Sequence, residues 1–144
     1  MTPPFVMLVD DEAPFVETMT KRLKKRDLNV ISAFSGPEAL ETLKKHQNVD
    51  VVILDVKMPG MDGLQTLKKM KSAYPIIEVV MLTAHATVES GIEGMKLGAF
   101  DYLMKPCVME QLMGKVKEAT RKKRDHEEKI REAHVKEILA KRGF

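Results

Sequence analysis

The sequence predicts a doubly wound α/β domain: five parallel strands covered by helices on both faces, with the last helix extended. Three observations predict it. Short apolar runs alternate strictly with segments of helical periodicity, the strongest runs are apolar at every position, and each of those runs ends in a residue that carries chemistry. Short connections and right-handed crossovers then leave the doubly wound sheet as the main solution.

The first strand is Phe5-Val6-Met7-Leu8-Val9, continuous in apolar character as a strand buried on both faces must be. Phe15, Val16, Met19 and Leu23 follow as the stripe of a first helix. Leu28 to Ala33 reads as an edge strand, because Asn29 and Ser32 interrupt its apolar pattern. Ser35-Gly36-Pro37-Glu38 has the spacing of a helix start, and Ala39, Leu40 and Leu43 supply the second stripe. Val51 to Leu54 is the third strand; Asp62 then caps a third helix, with Gln65 three residues on and Leu64, Leu67 and Met70 as its stripe. Val79 to Leu82 and Asp101 to Met104 are the fourth and fifth strands, separated by a helix whose stripe is Val88, Ile92 and Met95. After Pro106 a fifth helix turns Leu112, Val116 and Ala119 inward.

A chain of 144 residues suits one domain, and 44% hydrophobic with 31% charged residues suits a folded soluble one. No apolar stretch approaches the roughly 18 residues that span a bilayer, and the N-terminus lacks an export signal. The single Cys107 is compatible with a reducing compartment, so a cytoplasmic location without membrane association is expected. Residues 1–113 carry 13 Lys/Arg against 15 Asp/Glu, while residues 114–144 carry 11 against 6. The basic character belongs to the tail.

In an open parallel sheet, functional groups gather beyond the carboxyl ends of the strands. Here those ends carry Asp10 and Asp11, then Asp55, then Thr83, then Lys105. Carboxylates brought to one sheet edge repel one another unless a cation joins them, and oxygen ligands beside a phosphate suit Mg²⁺. A carboxylate nucleophile, a divalent cation, a hydroxyl and a lysine together describe phosphoryl transfer to aspartate.

Val9-Asp10-Asp11-Glu12, the segment from Leu54 through Asp55, Lys57 and Pro59 to Gly63, Leu82-Thr83-Ala84 and Lys105-Pro106 resemble the signature segments of bacterial two-component response-regulator receivers. The resemblance covers about residues 4–121. It implies a flavodoxin-like (βα)5 fold with strand order 2-1-3-4-5, a receiver domain over residues 1–121 and a helical extension or linker over 122–144. It makes Asp55 the phosphoacceptor, served by a sensor histidine kinase, a phosphotransfer protein or a small phosphodonor. Asp11 would bind Mg²⁺ directly and Asp10 through water, with Asp55 and the Lys57 backbone carbonyl as further ligands. Thr83 and Lys105 would hold the phosphoryl oxygens, and Thr83 with Tyr102 would form the switch that alters the face of the fourth helix, fifth strand and fifth helix. The Lys105-Pro106 bond is expected to be cis. Lys57 and His85 occupy the two positions that tune acyl-phosphate lifetime in such domains.

This implies a signalling switch, not an enzyme turning over a separate substrate. An aspartate-nucleophile phosphohydrolase would place a second Asp two residues after the nucleophile, where this chain has Lys57. The basic run Arg121-Lys122-Lys123-Arg124 raises DNA binding as a third class, but residues 125–144 are too few for a helix-turn-helix, so direct nucleic-acid binding is not expected. The histidines show no metal spacing, and most methionines read as core filler. Lys115 to Lys141 contains neither Pro nor Gly, so the fifth helix should run on, leaving Ile130, Val135, Ile138 and Leu139 as a patch for a second copy of the chain or a partner.

Overall fold

The computed structural model describes residues 2–142. Along the chain run β1 (Phe5–Val9), α1 (Ala13–Lys24), β2 (Asn29–Ala33), α2 (Gly36–Lys45), β3 (Val51–Leu54), α3 (Gly63–Ala73), β4 (Glu78–Thr83), α4 (Val88–Lys96), β5 (Asp101–Met104) and α5 (Met109–Lys141). The strands form one sheet in the order β2-β1-β3-β4-β5, and every pair is parallel. Leu28, expected in the second strand, lies just before it as a buried residue.

Alternation along each strand divides the core in two. Val6 and Leu8 of β1 point with Ile53, Val80 and Leu82 into the layer closed by α1 and α5; Met7 and Val9 point with Val52, Leu54 and Met81 into the layer closed by α2 and α3. Each fully buried side chain of this kind contributes roughly 1.5–3 kcal/mol relative to exposure. The helix starts follow the sequence. Asp62 and Gln65 form a reciprocal capping box on α3. Ser35 caps α2 by accepting from the Glu38 amide, while the Glu38 carboxylate takes the Phe34 amide instead of closing the box on Ser35.

One helix sits differently from its pattern. The stripe Val88, Ile92 and Met95 of α4 is 75%, 52% and 49% exposed, and Gly94 is the buried residue of that helix. The reason lies in β5, an edge strand that offers α4 a narrow seat. Tyr102 of β5 lays its ring beside Gly91 and Gly94 and its hydroxyl on Ser90, so the side of α4 that carries these small residues meets the sheet. The apolar stripe is thereby left facing outward beside Met104 and Val108, which are also exposed.

Helix α5 has 33 residues, about 50 Å at 1.5 Å per residue. Met109, Leu112, Met113, Val116, Ala119 and Thr120 bury one side of its first part. Its middle is tied down by charge at the amino-terminal ends of the strands. Asp50, just before β3, accepts from the Phe5 amide at 2.8 Å and from Arg124 at 3.0 and 3.3 Å, and lies 3.3 Å from the Lys123 ammonium. Arg124 also donates to the backbone carbonyls of Thr2 and Pro3. Glu78, the first residue of β4, takes Lys71 on one oxygen and faces Lys122 with the other, both at 3.3 Å. Past this clamp the helix is largely exposed, Ile130, Val135, Ile138 and Leu139 included.

Candidate functional site

Parallel registry sets the site. Val9 pairs with Leu54, and Leu54 with Met81, so β1 and β3 end side by side and β4 runs two residues further to Thr83. The Asp55 amide donates to the Val9 carbonyl, which continues the ladder one step past β3 and sets Asp55 next to Asp10. The Lys105 amide donates to the Thr83 carbonyl, carrying β5 to the same edge. Asp10, Asp55 and Thr83 are almost wholly buried, whereas Asp11 is exposed.

Oxygens of Asp10, Asp11 and Asp55 lie within 4.8 Å of one another. Asp10 Oδ2 accepts from Lys105 Nζ at 2.6 Å, and Asp10 Oδ1 accepts from the Glu12 amide at 2.9 Å. Asp55 Oδ1 accepts from the Val56 amide at 2.9 Å. Thr83 Oγ1 accepts from the His85 amide at 3.0 Å, which fixes the loop after β4 to the site. Burial is the main cause holding the Asp55 carboxyl above its ordinary pKa; the Asp10 carboxylate adds to it, while the Thr83 hydroxyl, the Lys105 ammonium and the Val56 amide oppose it.

The loop after β3 is drawn tight by Gly63, whose amide donates to the Val56 carbonyl at 2.6 Å. A Cβ at position 63 would lie 1.9 Å from the Asp55 carbonyl oxygen, so only glycine lets α3 start this close to Asp55. The cap at Asp62 is therefore followed by a position that must be glycine. Lys57 and His85 are exposed and line, with Asp11, Glu12, Met58 and Pro59, a cleft of about 420 Å³ at the mouth of the site. A larger open groove of about 820 Å³ along α3, past Gly60, Met61, Lys68 and Lys69, contains none of the acidic groups.

Tyr102 is half-buried, with its hydroxyl bonded to Ser90 Oγ of α4. Lys105-Pro106 is cis. Reasoning from sequence missed Asp50 and Glu78, because an acid before a strand reads as a solvated turn residue until its partners 74 and 44 positions onward are placed beside it. It also assigned Phe15 to the core alone, although one face of that ring lies 3.8 Å from Lys105 Nζ.

A 2-1-3-4-5 parallel sheet with three clustered carboxylates, a buried threonine and a lysine at the carboxyl edge is the arrangement of a two-component receiver. The family profile of the response regulator receiver domain matches residues 6–117, and the chain belongs to that family. Among curated relatives it is similar to the transcriptional regulatory protein ZraR of Escherichia coli K12, 38% identical over 114 residues, or 79% of this chain and 26% of the relative. It is likewise similar to the DNA-binding transcriptional regulator NtrC of Escherichia coli K12, 34% identical over 79% of this chain and 24% of the relative. The chain thus spans about a quarter of the length of these relatives. Among solved structures, a response regulator receiver domain from Clostridium thermocellum superposes with a TM-score of 0.80 at 32% identity, covering 84% of this chain and 97% of the other. A structure of adenylate cyclase from Rhodopirellula baltica superposes with a TM-score of 0.77 at 28% identity, covering 96% of this chain and 98% of the other.

Proposed function

We propose that this domain is a switch set by phosphorylation of Asp55, with a sensor histidine kinase or phosphotransfer protein as donor. One observation carries the reading: the buried Asp55 carboxylate shares a 4.8 Å cluster with Asp10 and Asp11, beside a lysine held on Asp10. An Asp55 oxygen attacks phosphorus, the P–N bond of the donor phosphohistidine breaks, and an aspartyl phosphate forms. Three carboxylates against one close ammonium leave an excess of negative charge on an all-oxygen donor set, which fits a hard divalent cation. Asp10, Asp11, Asp55 and the Lys57 carbonyl would hold Mg²⁺, which when bound neutralises charge on the transferring phosphoryl group.

The chain's own groups do the rest. Lys105 exchanges its Asp10 partner for a phosphoryl oxygen, and the Thr83 hydroxyl binds another. Drawing Thr83 inward pulls on the His85 amide and so on the loop leading to α4, where Tyr102 is already bonded to Ser90. The output is a change in the outward face of α4, β5 and α5, where Val88, Ile92, Met95, Met104 and Val108 are exposed. No separate substrate is turned over.

The receiver takes in residues 1–121 and its extension or linker residues 122–144, helical as far as Lys141, with Met1, Gly143 and Phe144 outside the described residues; the proposed compartment is the cytoplasm. Among the described residues no helix is long and apolar enough to cross a membrane. The exposed patch on the free part of α5 pairs with a second copy or a partner. Within the basic run 121–124, Lys123 and Arg124 are engaged by Asp50, which leaves little free charge for DNA. The test is incubation with acetyl phosphate and Mg²⁺, followed by intact mass: one alkali-labile phosphoryl group is expected on the wild-type chain and none on Asp55→Ala. Equal loading of both chains would sink the assignment.

A further inference from the structure

The Lys105 ammonium has three neighbours of different kinds. Asp10 Oδ2 lies at 2.6 Å, Glu12 Oε1 at 3.8 Å, and the ring centroid of Phe15 at 3.8 Å. The lysine side chain is 12% exposed, while that of Glu12 is 62% exposed and so a weak, screened partner. Phe15 packs against the core of the α1 and α5 layer and is itself half-buried, which leaves a ring face for the ammonium. A cation placed at this distance over an aromatic face is attracted by the ring quadrupole.

The placement is built by the site itself. Asp10 Oδ1 accepts from the Glu12 amide, which is the N-cap residue of α1, and Pro14 stiffens the first helical turn. One carboxylate therefore orients both Lys105 and the turn that carries Phe15.

We propose that Phe15 is a positioning residue for phosphoryl transfer: its ring keeps the Lys105 ammonium inside the cleft when Asp10 holds it less strongly. The inference rests on the proposed role of Asp55. With its carboxylate shared with a divalent cation, Asp10 would hold Lys105 less strongly, and the four-carbon stem would otherwise carry the charge out to water. The ring attracts the ammonium without competing for a phosphoryl oxygen, because it accepts through its face and carries no formal charge. Lys105 is thus confined to an arc that includes Asp10 before transfer and the phosphoryl oxygens after it, and less ordering remains for the reaction step.

The test compares the wild-type chain with Phe15→Leu, which keeps most of the apolar volume, Phe15→Met, a second filling residue, and Phe15→Tyr, which keeps the ring. Proton spectra of the metal-free chain should show the Lys105 ε-methylene shifted upfield by the ring in the wild type and Phe15→Tyr, and unshifted in the other two. At saturating Mg²⁺, the maximal rate of loading from acetyl phosphate should fall about three- to tenfold in Phe15→Leu and Phe15→Met, as expected for one partly buried cation–π contact. It should stay near wild type in Phe15→Tyr, with the half-saturating Mg²⁺ concentration unchanged throughout. Loading at the wild-type rate in both Phe15→Leu and Phe15→Met overturns the proposal, as does a rate lost equally in Phe15→Tyr. A wild-type chain that fails to load overturns the Asp55 reading instead, and this inference with it.

Discussion

Replacing Asp50 by alanine removes the acid at the centre of the α5 clamp, and the structure sets the expected cost. Asp50 is 3% exposed, and so is Lys123, whose remaining partner would be Glu127 at 3.1 Å. The Phe5 amide loses its acceptor and Arg124 loses both its bonds to Asp50, keeping only the carbonyls of Thr2 and Pro3. Breaking a buried pair from one side typically costs about 3–5 kcal/mol, because the other charge is left without compensation. For a domain of this size that corresponds to a fall in Tm of about 10–15 °C. Thermal melts by circular dichroism would measure it, beside Glu17→Ala as a control; the Glu17 to Lys21 pair is 72% exposed on both sides and should cost less than about 1 kcal/mol. Asp50→Asn with Lys123→Met, which removes the charges of the buried Asp50–Lys123 pair and leaves an amide oxygen for Arg124, should recover part of the loss. Hydrogen exchange should show faster amides around residues 120–128 in Asp50→Ala. If Asp50→Ala melted within two or three degrees of the control (the shift expected for less than about 1 kcal/mol), the clamp would be surface decoration and the argument wrong.

Three further outcomes follow from the same geometry. Mg²⁺ at ten times its Kd should raise stability by about 1.4 kcal/mol, and Asp11→Ala should abolish most of that gain; a melting temperature indifferent to Mg²⁺ would argue against the carboxylate cluster as a cation site. In metal-free buffer Asp55→Asn should be more stable than wild type at neutral pH. The folded Asp55 carboxyl holds its proton more tightly than the unfolded one, so wild-type stability falls as pH rises from the ordinary Asp range, near 3.9, through the raised value. The two melting curves should therefore converge at the acid end, and equal stability at neutral pH would contradict the shift. On α4, Ile92→Ser should change stability by less than about 0.5 kcal/mol, whereas Leu67→Ala should cost about 2–5 kcal/mol; a large loss from Ile92→Ser would mean that the stripe is covered.

Local chemistry made much of this molecule legible in advance. The runs Phe5–Val9 and Val51–Leu54 had to be central strands because nothing polar interrupts them, and they are. Asp62 with Gln65 had to cap a helix, since the groups that satisfy one another are three residues apart. Asp10, Asp11, Asp55, Thr83 and Lys105 could be assigned to one edge because strand ends in a parallel sheet share a direction, so topology carries distant residues together. The length of α5 was likewise written in its composition.

Tertiary structure alone decided what depends on which face meets which. Val88, Ile92 and Met95 have the period of a buried stripe, but periodicity specifies only that they share a side, and in the folded chain the side of α4 carrying Ser90, Gly91 and Gly94 meets Tyr102 while the stripe faces outward. Asp50 had no local signal, because its desolvation is offset by Lys123 and Arg124, which come near only when α5 crosses the strand ends; Glu78 has one partner seven residues back, Lys71, and a second, Lys122, that only the fold supplies. Phe15 was legible as apolar, and its contact with Lys105 was not. Periodicity and caps are interactions among neighbours in sequence; charge compensation and ring-to-cation contact act through space between residues that only the folded chain brings together.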